Sequence, residues 1–180
     1  GGANLYPESL CRADREKLGI SPEDAASFKS DSVWSYEAGV KSSLAGGRLT
    51  VNATAYRIDW SGIQQSVALA CGFSITQNGG KARSEGFELE LQASPAEGLT
   101  LAGGVGYTDA RITDSGTFGP LKPGSRIQQV PRWNFTTSAD YKFNLGEIPL
   151  SLHGDFTYVA SSLSGQEEDV ARQIGRSPSL

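Results

Sequence analysis

Carboxylates and the single histidine are the side chains of this chain best suited to chemistry, and they recur at alternate positions. Glu88 is followed two residues later by Glu90, and His153 is followed two residues later by Asp155. Paired carboxylates can serve as general acid and base or hold a cation, and a histidine near a carboxylate can carry a proton or bind a metal. Residues two apart on a strand point to one face, which would bring the members of each pair together.

The positions of these polar side chains can also be explained without any catalytic role. Each lies at a polar position of a stretch in which polar and apolar residues alternate, so it would solvate one face of a sheet. No spacing typical of a nucleophilic triad, a metal site or a phosphate loop accompanies them. We therefore expect no enzyme activity, no cofactor and no metal site. The polar residues predicted to share one face of the sheet, which would face the lumen if the sheet forms part of a barrel, are Glu88, Glu90, Asn134, Asp140, His153 and Asp155.

The composition limits the class of protein. The 180 residues carry a net charge of −4 with acids and bases interspersed, so no basic stripe is available for nucleic acid. No apolar run approaches the roughly 20 residues that a membrane helix needs. The apolar fraction is 38%, Met is absent and Gly is abundant at 22 residues, which favours a turn-rich β structure over a helical core.

Apolar and polar residues alternate one for one in about six stretches, which is the pattern of strands with a single apolar face. The clearest stretch is 133–143, where Trp133, Phe135 and Tyr141 alternate with polar residues. The sequence therefore predicts an all-β fold. Its predicted strands cover residues 33–45, 48–64, 81–94, 99–113, 133–143 and 150–161.

The connections between these strands alternate in length. The short turns are predicted at 46–47, 95–98 and 144–149. They alternate with longer loops at 66–80, 114–129 and after 161. Short connections at one end and long ones at the other are typical of an antiparallel up-and-down barrel of the outer membrane. Aromatic residues near both strand ends agree with this, because they are enriched at the two membrane interfaces.

This layout of strands and connections divides the chain into three parts. We predict that residues 1–30 form an extracellular loop segment, with a short helical turn after Ser21 where Pro22 follows an N-cap residue. Residues 31–162 would form barrel strands with short periplasmic turns and long extracellular loops. Residues 163–180 would form an extracellular loop that stops before the last strands.

A soluble β-sandwich or a surface binding module for carbohydrate is the alternative to a barrel. Such a fold needs two sheets whose apolar faces pack on each other. It would express without detergent as a stable monomer, whereas barrel strands need lipid or detergent on their apolar face.

Cys11 and Cys71 leave two interpretations open. They belong to no Cys-x-x-Cys pair, so neither a redox motif nor a zinc site is indicated. They are either two free thiols or one disulfide formed in an oxidising compartment. The alternation of short and long connections places both cysteines at the long-loop end, which favours the disulfide.

Several strings resemble consecutive strands of the TonB-dependent outer-membrane receptor barrel. They occur in the family's order, and their combination is more specific than any one of them. The strings are SYEAGVK at 35–41, AYRIDW at 55–60, NGGKARSEGFELE at 78–90, GYTDA at 106–110 and VPRW at 130–133. Family members are far longer and have an N-terminal plug domain, a TonB box and about 22 strands. We therefore expect an internal piece of such a barrel, from its C-terminal third.

This resemblance implies a receptor in the outer membrane of a Gram-negative bacterium that takes up a scarce ligand. Ferric siderophores are the first expectation, with cobalamin, haem and glycans as other possibilities. The implied partners are outer-membrane lipid, the small-molecule ligand and the TonB complex, which would act through the plug. The loop 114–129 offers stacking and hydrogen-bonding groups, and the predicted ligand-binding residues are Phe118, Arg126 and Gln128.

Overall fold

The computed structural model describes residues 1–116 and 122–163. Its helices are α1 (Glu8–Lys17) and α2 (Pro22–Ala26), with a 3-10 turn at Ala45–Gly47. Its strands are β1 (Gly2–Ala3), β2 (Ser27–Phe28), β3 (Ser32–Leu44), β4 (Leu49–Ser61), β5 (Gln64–Ala68), β6 (Ser74–Asn78), β7 (Lys81–Ala96), β8 (Leu99–Asp114), β9 (Trp133–Leu145) and β10 (Ile148–Val159). Neither α1 nor α2 is long and apolar enough to cross a bilayer, and the described residues contain no other helix that is.

Six long strands form one sheet within the described residues, in the order β10-β9-β8-β7-β4-β3. Each long strand pairs with the next long strand along the chain. The short strands β5 and β6, which lie between β4 and β7 in the sequence, pair with each other in a separate hairpin. This arrangement confirms the predicted antiparallel up-and-down meander. The predicted bounds differ from the observed ones by no more than a few residues at each end.

The register of β8, β9 and β10 separates polar from apolar side chains. Residues directly opposite in an antiparallel pair share a face. Asp140 lies opposite both Thr100 and His153, whereas the neighbouring Ala139 lies opposite Leu101. One face of these strands is therefore polar and the other apolar, as the period-two pattern predicts.

The apolar face of the sheet stays exposed in β10. The side chains of Leu152 and Phe156 are 63% and 60% exposed. A β-sandwich would cover such residues with the apolar face of a second sheet. The sandwich alternative is therefore wrong for the described part of the chain.

Two of the three short turns are tighter than the sequence predicts, whereas the turn predicted at 46–47 spans residues 45–48. β9 and β10 continue until Leu145 lies opposite Ile148, which leaves only two residues in a turn predicted at 144–149. Gly98, in the turn between β7 and β8, has a φ of +74°, and a Cβ there would collide with the carbonyl oxygen of Lys142. Glycine is required at this position by both backbone conformation and space.

The chain divides into two compact units. The first comprises Gly1–Ser35, Ile58–Ser84 and Ala110–Ile127, and the second comprises Tyr36–Arg57, Glu85–Asp109 and Gln128–Leu180. All the buried apolar residues of the described chain lie in the first unit. All of them except Ala110 form two clusters, one of Cys11, Ile20, Ala25, Val67, Leu69 and Ile75, the other of Ile63, Ala82 and Ile112.

Two segments predicted as loops carry regular structure in the first unit. The short helical turn after Ser21 is α2, whose N-cap Ser21 accepts a hydrogen bond from the backbone N–H of Asp24 at 3.0 Å. The ten-residue helix α1 is additional; Glu8 in its first turn and Lys17 in its last complement the helix dipole. The predicted loop 66–80 contains the end of β5 and all of β6.

Arginine placed at Leu101 should destabilise the barrel far more than arginine placed at its neighbour Ala102. Leu101 lies on the apolar face and Ala102 on the polar face, so only the first substitution puts a charge into hydrocarbon. We expect Leu101→Arg to cost roughly 2–4 kcal/mol near the bilayer midplane and Ala102→Arg much less. Denaturant unfolding of the full-length protein in lipid vesicles measures both, and equal costs would refute the assignment of faces.

Candidate functional site

Strands β9 and β10 bring a histidine between two carboxylates. His153 lies opposite Asp140 in the register, and its Nδ1 is 2.7 Å from the Asp140 Oδ1 atom. Its Nε2 is 3.5 Å from Oδ1 of Asp155. The three side chains are 46–71% exposed, so their attraction is largely screened by water. The group is a hydrated polar cluster on the sheet rather than an enclosed reaction centre.

Glu88 and Glu90 belong to the same polar surface of the second unit. Asn52 of β4 donates a hydrogen bond from Nδ2 to Oε2 of Glu90 at 3.2 Å. An open depression of about 360 Å³ is lined by residues that include Asn52, Glu90, Gly104, Thr136 and Asp155. The described residues contain no cluster of His, Cys, Asp and Glu able to hold a metal ion.

One tyrosine on this surface has a role that the sequence did not reveal. The hydroxyl group of Tyr56 is 2.6 Å from Oγ1 of Thr108. A Cβ added to Gly86 would lie 2.5 Å from the same hydroxyl oxygen, so the ring lies directly against the glycine. The tyrosine of β4 thus packs over β7 and reaches β8. Tyr56, Gly86 and Thr108 are far apart in sequence, so this contact can be identified only from the folded structure.

The apolar face of the second unit carries a continuous row of aromatic rings. Phe87 and Tyr107 have ring centroids 5.8 Å apart, Tyr107 and Trp133 4.7 Å, and Trp133 and Phe135 5.8 Å. Phe135 then contacts Tyr158 with centroids 6.0 Å apart. These rings come from four neighbouring strands, and they lie toward the ends that lead into the longer connections. Such a row is typical of a membrane–water interface.

A disulfide joins Cys11 to Cys71 in the first unit, with a Cα–Cα distance of 5.3 Å. Cys11 lies on α1 and is fully buried, whereas Cys71 lies between β5 and β6. Asp14 of α1 accepts a hydrogen bond from the backbone N–H of Cys71 at 2.6 Å. Covalent and hydrogen bonds therefore hold the helix against the β5–β6 hairpin.

Asn78 fastens the end of β6 to two other segments of the first unit. Its Oδ1 accepts from the backbone N–H of Lys29 at 2.6 Å, and its Nδ2 donates to the carbonyl oxygen of Lys29 at 2.9 Å. The same Nδ2 donates to the carbonyl oxygen of Gly62 at 2.9 Å. One amide side chain thus satisfies three backbone groups in two connections.

A polar group beside α1 shifts two pKa values. The hydroxyl group of Tyr6 donates to Glu8 at 2.7 Å, and Arg15 donates to the same carboxylate at 3.1 Å. The hydrogen bond from Tyr6, with that from Arg15, lowers the pKa of Glu8 below its usual value. The same bond raises the pKa of Tyr6. Arg15 itself is buried and donates to the carbonyl oxygen of Ile20 at 2.6 Å.

The three predicted ligand-binding residues have different settings. Phe118 lies outside the described residues. Arg126 is half-buried in the first unit, where it pairs with Arg111 in an antiparallel bridge. Gln128 is exposed in the second unit. The end of the predicted loop 114–129 runs alongside β8. There the backbone N–H of Ile127 donates a hydrogen bond to the carbonyl oxygen of Ala110 at 2.9 Å.

The family model of the TonB dependent receptor-like β-barrel matches residues 13–178 of this chain. Among curated relatives, the metal-pseudopaline receptor CntO of Pseudomonas aeruginosa is 31% identical over 131 residues, which cover 73% of this chain and 17% of that protein. The ferrichrome outer membrane transporter/phage receptor of Escherichia coli is 29% identical over 128 residues, 71% of this chain and 16% of that protein. The chain thus spans about a sixth of the length of these relatives.

Solved structures show the same fold at lower sequence identity. The FrpB iron transporter from Neisseria meningitidis has a TM-score of 0.55 and 19% identity, over 73% of this chain and 19% of that one. The alcaligin outer membrane receptor FauA from Bordetella pertussis has a TM-score of 0.50 and 17% identity, over 72% of this chain and 22% of that one. The likeness covers nearly three quarters of this chain and about a fifth of each neighbour.

Replacing Asn78 by alanine should loosen the first unit locally. The substitution removes three hydrogen bonds to the backbone of Lys29 and Gly62, each worth about 0.5–1.5 kcal/mol. We expect faster amide hydrogen exchange in residues 27–30 and 62–80 of the full receptor. Asn144→Ala, at an exposed position near a short turn, is the matched control, and equal exchange in both variants would contradict this role.

Acidification should weaken the attachment of α1. Because the folded-state pKa of Glu8 is lowered, its contribution to stability is present above the unfolded-state pKa and disappears as the pH falls through the folded-state value. The protection factors of the α1 amides, which compare the exchange rate with the intrinsic rate at the same pH, should therefore fall as the pH drops below the usual Glu value of 4.5. Tyr6→Phe removes the main hydrogen bond and should reduce this pH dependence; an unchanged pH dependence in Tyr6→Phe would rule out that bond as its cause.

Proposed function

The chain belongs to the TonB-dependent receptor β-barrel family of the Gram-negative outer membrane, and on that premise we propose that it is part of the wall of a receptor for active ligand uptake. The observation that supports this best is the division of the six-stranded sheet into a polar face and an apolar face with an aromatic row. In a barrel the apolar face contacts lipid and the polar face lines the interior.

The polar side chains of the sheet are proposed to face the barrel lumen. Glu88, Glu90, Asn134, Asp140, His153 and Asp155 would keep that interior hydrated. Their exposure and their small neighbours support this proposal, because a plug or a passing ligand needs a wet surface with room beside it. The same features argue against enzyme activity, since a catalytic constellation needs positioned and partly desolvated groups.

A complete barrel is proposed to supply the strands that pair with β3 and β10. Both strands lie at the edges of the six-stranded sheet. Open edges do not occur in the hydrocarbon region of a bilayer, because backbone N–H and C=O groups there must be paired. A barrel of about 22 strands, as in outer-membrane transporters, would pair both edges.

The first unit, together with residues 163–180, is proposed to lie on the extracellular side. A disulfide, two helices and compact apolar clusters suit an aqueous, oxidising location. Loops carried on a rigid scaffold are where binding residues concentrate. The long connections would then contact the ligand, and the short turns would face the periplasm.

A ferric siderophore or a related metal chelate is the proposed ligand. The printed names of the relatives support this choice, since one is a metal-pseudopaline receptor and another a ferrichrome transporter. The proposed energy source is the TonB complex acting on a plug domain in the rest of the receptor. Phe118 would stack on the chelate, and Arg126 and Gln128 would hydrogen-bond to it.

Removing two of these loop contacts should separate uptake from assembly. In the full receptor, Phe118→Ala combined with Gln128→Ala should reduce uptake of a ferric chelate about tenfold or more, since truncating two binding contacts costs at least about 1–2 kcal/mol. Membrane insertion, measured by heat-dependent gel mobility, should not change. A Phe143→Ala, Asn144→Ala receptor, altered near a short turn, is the control; a loop variant that inserts normally and transports at full rate would reject the assignment.

A further inference from the structure

Asn78 is the one asparagine of this sequence that precedes a glycine. The asparagines at positions 4, 52, 134 and 144 precede leucine, alanine, phenylalanine and leucine. An asparagine followed by glycine can react with its own backbone, because glycine has no Cβ to hinder the approach of its nitrogen to the side-chain carbonyl carbon. The end of β6 therefore carries a chemically reactive Asn–Gly bond.

The reaction of an Asn–Gly bond needs no reagent other than water. The backbone nitrogen of Gly79 loses its proton and forms a bond to Cγ of Asn78, the bond from Cγ to Nδ2 breaks, and Nδ2 takes up the proton and leaves as ammonia. Water then opens the resulting five-membered imide at either of its carbonyl carbons. One opening leaves aspartate at position 78, and the other leaves isoaspartate, in which the main chain runs through Cβ.

The folded first unit restrains the attacking residue, Gly79. Its N–H donates a hydrogen bond to the carbonyl oxygen of Ile63 at 2.9 Å. Its carbonyl oxygen accepts one from Nε2 of the buried Gln65 at 2.7 Å. Gly116 lies against the same residue, since a Cβ added to Gly116 would be 2.8 Å from the Cα atom of Gly79. The backbone around the attacking nitrogen is therefore fixed on both sides.

The amide group of Asn78 is restrained as well. Its three hydrogen bonds hold Oδ1 and Nδ2 against the backbone of Lys29 and Gly62. Ring closure requires Cγ to approach the nitrogen of Gly79, and it removes Nδ2, the donor of two of these bonds. The bond can therefore react only after this part of the first unit has opened locally.

We propose that Asn78–Gly79 is a modification site that the fold keeps unreacted, and that local opening of the first unit exposes it to irreversible conversion into aspartate or isoaspartate. The site thus records how often this part of the unit opens. The inference concerns the first unit alone, so it does not depend on the transported ligand or on the orientation of the strands in the membrane.

Neither product can restore the contacts of Asn78. An ionised aspartate has acceptors only, so an oxygen atom would face the carbonyl oxygens of Lys29 and Gly62 in place of the donor Nδ2. Isoaspartate adds a main-chain atom at the position where Asn78 pairs with Gln64 of β5. Conversion would therefore leave this part of the unit open.

The first test follows the conversion of Asn78 in the full receptor at mildly alkaline pH, both folded in detergent and unfolded in guanidinium chloride. After reduction and digestion, the tryptic peptide 58–81 contains Asn78, and mass spectrometry with chromatography separates its aspartate and isoaspartate forms. A synthetic peptide of residues 74–83 corrects for the effect of guanidinium on the intrinsic rate. We expect conversion at least about tenfold slower in the folded receptor, because its open state is rare. Equal corrected rates would overturn the proposal.

A variant that leaves Asn78 and Gly79 unchanged tests the restraint itself. Gln65→Met removes the donor to the Gly79 carbonyl oxygen and keeps a side chain of similar size, so it should speed conversion severalfold in the folded receptor but not in guanidinium. Gln92→Met, at an exposed position of the second unit, is the matched control and should convert at the wild-type rate. A folded Gln65→Met receptor that converts no faster than wild type would contradict the restraint.

If Gln65→Met does not fold, the wild-type receptor decides. Guanidinium below the unfolding midpoint should raise the rate of conversion and the amide exchange rate of Gly79 together. A conversion rate that stays constant while Gly79 exchange rises would overturn the proposal.

Asn78→Asp reproduces one product and tests the consequence of conversion. We expect lower protection against amide hydrogen exchange in residues 27–30 and 62–80 of the full receptor than in wild type. Asn144→Asp makes the same change in charge at an exposed position and should keep wild-type protection. Wild-type protection in the Asn78→Asp receptor would show that conversion does not leave the unit open.

Discussion

Backbone hydrogen bonding in hydrocarbon is the constraint on which the rest of this structure depends. A strand that crosses a bilayer has no water to satisfy its N–H and C=O groups, so each must be paired with a neighbouring strand. The meander from β3 to β10 does this for successive long strands of the chain. Once the backbone is paired in this way, side chains alternate between two faces, and lipid on one side and water on the other decide which residue types each face carries.

The location of the apolar core follows from the same constraint. The sheet of the second unit needs no core of its own, because lipid takes the place of a packed apolar layer. The buried clusters lie instead in the first unit, where Ile75 and Cys11 are almost completely enclosed. This unit buries its own apolar surface, and the disulfide and the amides of Asn4 and Asn78 link its segments.

The strands and their faces could be predicted from the sequence, since a period of two is written directly into residues such as Trp133, Asn134 and Phe135. The hairpin of β5 and β6 could not, because glutamines occupy two of its buried positions. Gln65 is enclosed and donates to the carbonyl oxygen of Gly79 at 2.7 Å, and Gln77 donates to that of Asp24 at 2.6 Å. A buried polar residue satisfied by a distant backbone group cannot be distinguished in sequence from an exposed one.

Helix α1 and part of the candidate site likewise could not be predicted from the sequence. The N-cap position of α1 is Pro7, which offers no capping side chain, and one of its two buried residues is Arg15. Neither feature is a helix signal. Likewise, the polar row could be found from strand parity, but the contact of Tyr56 with Gly86 and the pairing of Arg111 with Arg126 depend on neighbours that only the folded chain provides.

The disulfide between Cys11 and Cys71 has a topological consequence. The two cysteines are separated by 60 residues, and the intervening chain contains all of β3 and β4. The first hairpin of the sheet is therefore part of a covalent ring whose closing bond lies outside that hairpin. Closing a ring of this size lowers the conformational entropy of the unfolded chain by the equivalent of about 4 kcal/mol at 25 °C. The oxidation state of these two cysteines thus sets how many conformations remain open to β3 and β4 in the unfolded chain.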